Sequence, residues 1–158
     1  MNSLWAPWRL EYILSDKETG CFLCEAARAE SDRDALVVCR RDGCFCVLNK
    51  YPYNNGHLLI APNRHVAELA DLSDAEMLEL MVLARDAQRA LQREMSPDGF
   101  NLGANLGKIA GAGVPGHFHL HIVPRWAGDT NFMPVVGQTK VIPQSLEALW
   151  TALTEQFA

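Results

Sequence analysis

The order of apolar segments in this chain predicts an α+β fold with a mainly antiparallel sheet. Two observations carry that prediction. Five strand-like runs are interrupted by only one long helical pattern, and a tight turn signal, Asp42-Gly43, joins the first two runs. A doubly wound parallel sheet would need a helical crossover between successive strands, and here short turns join strands as well as one helix. At 158 residues the chain is predicted to form a single domain, 1–158, with an N-terminal arm over 1–20 and a C-terminal loop and helix over 126–158.

The elements follow in chain order. "CFLCEAARAE" reads as a short helix. "ALVVCR" and "CFCVLNK" are β-branched and apolar, and the Asp-Gly pair between them predicts a hairpin. "GHLLIAP" is a third strand, stopped by Pro62. The segment "LSDAEMLELMVLARDAQRALQREMSPDG" is the clearest helix, with Ser73 and Glu76 spaced as a capping box. Met77, Leu80, Met81, Ala84, Ala87, Leu91 and Met95 recur at three- and four-residue steps and predict its buried face. Pro97 and Gly99 end it. "FNLGANL" and "HFHLHIVP" are the fourth and fifth strands, 126–141 reads mostly as loop, and Pro143 opens a terminal helix through "SLEALWTALTEQF".

Composition narrows the function classes. Hydrophobic residues make up 49% and charged residues 21%, an ordinary globular mix. A net charge of −5 lacks the basic footprint of a nucleic-acid binder, so no nucleic-acid partner is expected. No apolar run approaches the roughly 18 residues of a membrane span. "MNSLWAPWRLEYI" has neither the basic nor the apolar region of a signal peptide, and five cysteines is an odd number. The expectation is a cytoplasmic chain with reduced thiols and no membrane partner.

The most informative stretch is "GHFHLHIVPRW". His117, His119 and His121, three of the five histidines, occupy alternate positions. Side chains alternate faces along a strand, so the three imidazoles are predicted on one face, with Phe118, Leu120 and Ile122 packing on the other. Three alternate imidazoles suit either a metal site or a histidine nucleophile with two helpers. The preceding "NLGKIAGAGVPGH" places Gly107, Gly111, Gly113 and Gly116 within ten residues. Glycines let main-chain N–H groups approach an anion closely, which favours phosphate as the ligand. No Gly-Lys-Ser/Thr follows, so the loop is not a P-loop.

"HFHLHIV" resembles the histidine-triad (HIT) signature, three histidines separated by apolar residues. "FCVLNKYPYNNGHLLIAPNRH" is similar to the family's segment with an Asn, a Gly-His eight residues later, a strand and a further His. "LWAPWRLEYI", "GAGVPGHFHLHIVPRW" and "GDTNFMP" resemble the bacterial branch linked to dinucleoside polyphosphates, although "VPGH" carries one glycine more than the commoner family spacing.

The resemblance implies a HIT-like fold: a five-stranded, mainly antiparallel sheet with one long central helix and a C-terminal helix. It implies a nucleotide hydrolase or transferase that cleaves the α-phosphate linkage of dinucleoside polyphosphates, such as diadenosine tetraphosphate, through a nucleotidyl-histidine. His119 would be the nucleophile, and His121 and His57 would contact the phosphate. Asn49 would bond the ribose, and Asn105 and the amides near Gly113 would bind phosphate oxygens. The alternatives are a nucleoside phosphoramidate hydrolase and a nucleotide-binding regulatory protein with little turnover. A homodimer is expected from the same resemblance.

The C-x-x-C of Cys21 and Cys24 has the spacing expected of half a tetrahedral zinc site, with His65 and His117 as the remaining candidates. The resemblance supports that set, because some bacterial members hold structural zinc with these four positions.

Overall fold

The computed structural model describes residues 20–114, 116–130 and 141–157. In chain order they form α1 (Phe22–Arg28), β1 (Val37–Arg40), β2 (Cys44–Leu48), β3 (Leu58–Pro62), α2 (Asp74–Met95), β4 (Gly99–Gly103), β5 (Leu120–Arg125) and α3 (Leu146–Phe157), with a 3-10 turn at Leu69–Asp71. The strands make one five-stranded sheet in the order β1-β2-β3-β5-β4, and every neighbouring pair is antiparallel. The predicted class is therefore the observed one, with three α-helices among the described residues.

Local chemistry explains the elements. The Asp42-Gly43 turn closes with Arg41 N–H donating to the Cys44 carbonyl at 2.7 Å. Ser73 caps α2 by accepting from Glu76 N–H, while the Glu76 carboxylate accepts from Ser73 N–H, which is the capping box. The helix ends where Ser96 turns left-handed at φ 45°, just ahead of Pro97.

The sheet has two unequal coverings. One face packs on α2 and α3 through Leu58, Ile60, Phe118 and Ile122 against Leu80, Leu83, Ala87 and Leu91, with Leu149 and Leu153 from α3. The other face carries Phe45, Val47, Leu59 and Ala61 under Leu23 and Ala26 of α1. Trp150 anchors α3 by donating its indole N–H to the Val37 carbonyl at 2.8 Å. Full burial of each large aliphatic side chain contributes roughly 1.5–3 kcal/mol.

Two sequence expectations need correction. The buried stripe of α2 includes Leu83 and Ala90 but not Met81, which is 51% exposed. Met81 lies at the margin of the stripe and lines the same groove as Gly99, Phe100 and Leu102 of β4, which is an edge strand among the described residues. The fifth strand begins at Leu120 rather than at His117. Before that point the main chain bonds elsewhere: Phe118 N–H donates to Val66 O at 2.6 Å and His117 N–H to Val114 O at 3.2 Å. Phe118, Leu120 and Ile122 nevertheless all pack toward the long helix, as the alternation predicts. The quoted segments "LWAPWRLEYI" and most of "GDTNFMP" lie outside the described residues.

Candidate active site and metal-binding cluster

Two turns and one strand converge on the first cluster. β2 and β3 are joined through residues 49–57, and His57 stands at the entry to β3, its carbonyl accepting from Asn49 N–H at 2.9 Å. Gly56 permits this turn. Its φ is +78°, and a Cβ there would lie 2.7 Å from Met95 Sδ and 3.0 Å from Pro124 Cγ. His121 sits in β5 between Leu59 of β3 and Gly103 of β4. That places its side chain on the α1 face of the sheet, opposite the main core.

The main chain fixes the proton on each ring. Tyr53 N–H donates to His57 Nδ1 at 3.0 Å, and a backbone amide can only donate. His57 Nδ1 therefore carries the lone pair and its Nε2 the hydrogen. Asn49 agrees with this assignment. Its Oδ1 accepts from Tyr51 N–H at 2.9 Å, which turns its NH2 toward His57 Nδ1 at 3.2 Å. His57 Nε2–H then donates to His121 Nδ1 at 2.9 Å, so neutral His121 bears its hydrogen on Nε2. His119 is set the other way. Its Nδ1 lies 2.8 Å from the His117 carbonyl, which can only accept, so the His119 hydrogen is on Nδ1 and the lone pair is on Nε2.

The rings form one group. His119 and His121 have centroids 4.9 Å apart, and His57 and His121 5.1 Å. Tyr53 stacks over His121 at 5.7 Å with planes 15° apart. The polar side chains do not face open water, as a solvated strand would: His57 is 1% and His119 5% exposed. Burial pushes the His119 imidazole below its usual range, only partly opposed by its bond to the His117 carbonyl. The ring is thus held neutral, with one nitrogen anchored and the other available as a nucleophile.

The second cluster joins α1 to the same segment. His117 Nε2 donates to the Pro62 carbonyl at 2.9 Å, which leaves Nδ1 as the lone-pair nitrogen. That nitrogen lies 3.3 Å from Cys21 Sγ and 3.5 Å from Cys24 Sγ, and His65 Nδ1 lies 3.1 Å from Cys24 Sγ. The four ligand atoms all fall within 4.8 Å of one another. A tetrahedral zinc with ordinary Zn–S and Zn–N bonds sets neighbouring ligand atoms about 3.5 Å apart. The donor set, the spacing and the lone pair fixed on His117 by Pro62 therefore fit such an ion. Gly116 completes the cluster: a Cβ there would lie 3.2 Å from His65 Nε2, so the additional glycine of "VPGH" lets the chain pass this ring.

The predicted site residues thus divide into two groups. His57, His119, His121 and Asn49 are together, and Cys21, Cys24, His65 and His117 are together. His117 joins the groups, its ring in one and its carbonyl holding His119 in the other. Asn105 donates Nδ2 to Gly111 O at 3.4 Å, a bond within the glycine-rich loop that holds Gly113. The sequence reading missed Tyr53, and it placed Gly116 among the glycines of the anion-binding loop rather than beside His65. Tyr53 acts through its main-chain N–H, which side-chain chemistry does not announce.

An antiparallel α+β domain with main-chain-oriented histidines ahead of and within an inner strand defines the class. A family model described as the HIT domain matches residues 30–128, and the chain belongs to this family. An AP-4-A phosphorylase of Mycobacterium tuberculosis is 40% identical over 166 aligned positions, covering 100% of this chain and 85% of that protein. A hypothetical histidine triad nucleotide-binding protein of Sulfolobus tokodaii superposes with a TM-score of 0.69 at 25% identity, covering 86% of this chain and 91% of that one. A Zn-bound histidine triad family protein of Mycobacterium smegmatis shares the fold, with a TM-score of 0.70 at 23% identity over 87% of this chain and 92% of that one.

Proposed function

We propose that this chain is a HIT-type nucleotide hydrolase or phosphorylase that cleaves dinucleoside polyphosphates, diadenosine tetraphosphate among them, through a nucleotidyl-histidine at His119. The observation that carries this reading is the His119 ring, anchored through Nδ1–H on the His117 carbonyl with its Nε2 lone pair available. The 40% identity to an AP-4-A phosphorylase over the whole chain supports the substrate class.

In the first step His119 Nε2 attacks the α-phosphorus. A P–N bond forms, the P–O bond to the rest of the phosphate chain breaks, and ATP leaves as a stable anion that needs no proton. Positive charge develops on the imidazole, and the Nδ1–H bond to the His117 carbonyl strengthens as it does so. His121, with its hydrogen on Nε2, is the donor for the phosphate oxygens, and His57 holds it in that form. Asn49, Asn105 and the amides near Gly113 are assigned to the ribose and the phosphates. In the second step water or inorganic phosphate attacks the same phosphorus, the P–N bond breaks, and AMP or ADP is released. When water attacks, its proton passes to solution. The work is mostly positioning and charge stabilisation, as phosphoryl transfer requires.

Cys21, Cys24, His65 and His117 would hold a zinc ion in a structural role. Such an ion would tie α1 to the sheet and keep His117 in place beneath His119. We also assign the chain to a cytoplasmic homodimer built from single domains, 1–158. β4 is an edge strand with Leu102 exposed, and beside it an open groove of about 510 Å³ runs along Met81, Ala84 and Gln88 of α2. A second copy covering that groove would remove the open edge. No helix among the described residues is long and apolar enough to cross a membrane.

Incubation with diadenosine tetraphosphate, with and without inorganic phosphate, tests the reading. ATP with AMP identifies a hydrolase, and ATP with ADP formed only when phosphate is present identifies a phosphorylase. Tight nucleotide binding without turnover would support the regulatory reading instead. Turnover confined to nucleoside phosphoramidates would support the remaining alternative.

A further inference from the structure

We propose that Asp129 is a positioning residue for the histidine pair, acting through Asn54 on the turn that fixes the proton of His57.

Asp129 stands in the loop after β5. Its Oδ2 accepts from Arg125 Nε at 2.5 Å and from Asn54 Nδ2 at 3.0 Å, and its Oδ1 accepts from the other arm of the Arg125 guanidinium at 2.9 Å. Trp126 N–H closes the loop onto the same carboxylate at 3.3 Å. Asn54 gives its second amide hydrogen to the Pro124 carbonyl at 3.0 Å. Both hydrogens of this one amide are thus spent on the C-terminal end of β5, the strand that carries His121, and on the loop that follows it. Asn54 also accepts His57 N–H on its carbonyl at 3.2 Å, and it directly follows Tyr53.

The consequence is geometric. The Tyr53 N–H reaches His57 Nδ1 only while the turn over 53–57 keeps its height above the sheet. Asn54 is the peg that joins this turn to β5, and Asp129 is the socket. The socket is rigid because the Arg125 guanidinium holds it bidentately and is itself fixed by donating from its Nη1 to Asn101 Oδ1 at 2.8 Å. The same guanidinium keeps the Asp129 carboxyl at about 2, so the socket stays charged through the neutral range. With the peg released, the turn can drift and the Nδ1 acceptor loses its main-chain donor, keeping the longer contact to the Asn49 amide at 3.2 Å. Neutral His57 is then held less firmly in its Nε2–H form, and a second tautomer becomes populated in His57 and, through it, in His121.

The kinetic part of this inference rests on the proposed function, but the proton positions do not. The test uses Asp129→Asn, which is nearly isosteric, and Asn54→Ala, each compared with the parent protein. Side-chain proton–nitrogen correlation spectra report the His57 tautomer directly, and steady-state kinetics on diadenosine tetraphosphate separate kcat from KM. The expected result is a single Nε2–H tautomer in the parent and a mixture in both variants, with kcat lower by about 10²-fold and KM nearly unchanged. A single Nε2–H tautomer in both variants, or a kcat equal to the parent's, overturns the proposal. A tautomer change in variants of a parent that does not turn over diadenosine tetraphosphate sustains the clamp and removes the substrate reading.

Discussion

At the scale of single residues, the site is defined by which nitrogen carries hydrogen, and peptide groups decide that. Tyr53 N–H on His57 and the His117 carbonyl on His119 set opposite tautomers in rings that belong to one cluster. Asn49 is bound into the same arrangement through its amide. Asn49→Ala removes one donor from His57 Nδ1 and the cap on Tyr51 N–H; unfolding in urea should show a loss of about 1–2 kcal/mol. Gly56 is constrained twice, by a φ of +78° and by Met95, Pro124 and Leu91 around its missing Cβ. Gly56→Ala should therefore cost about 1–3 kcal/mol in the same measurement, and a value within a few tenths of the parent would refute the packing account. The histidines themselves were legible in the sequence because alternate imidazoles are rare and chemically distinctive. Tyr53 was not, because its contribution is a main-chain N–H that any residue supplies.

At the scale of elements, helix starts were legible and strand ends were not. The Ser73 and Glu76 capping box depends on contacts within one turn, so residue spacing suffices to find it. The start of β5 depends on Phe118 N–H bonding to Val66, a partner far away in sequence, and local alternation does not contain that information. Glu76 offers a check on the helix start. Arg64 and the Ser73 N–H and hydroxyl pull its carboxyl down to about 2. A carboxylate depressed in the folded state stabilises it above the ordinary Glu value near 4.3, and that contribution fades as the pH falls toward 2. An NMR titration should place the Glu76 midpoint near 2, and a midpoint near 4 would contradict the cap and the Arg64 pair. Within the stripe of α2, Leu83 is fully buried, although the sequence reading passed over it. Leu83→Ala should lower stability by about 2–5 kcal/mol by leaving a cavity.

At the scale of the whole molecule, one short segment ties the two side-chain clusters together. His117 offers its ring to Cys21, Cys24 and His65 and its carbonyl to His119, so the ends of α1, β3 and β5 meet at one residue. The C-x-x-C and the histidines were legible as separate motifs, but only the fold shows that one residue serves both. Elemental analysis of freshly purified protein should find about one zinc per chain, and Cys24→Ser should abolish it. Chelation should lower the thermal midpoint, since an ion bound only by the folded chain stabilises it.

The central claim is that His119 Nε2 bonds transiently to the α-phosphorus, and intact-mass analysis of an acid-quenched reaction with diadenosine tetraphosphate tests it most directly. The account predicts a protein heavier by one adenylyl group, with the adduct mapped to His119 and absent from His119→Ala. An adduct on another residue, or full turnover by His119→Ala, would contradict it.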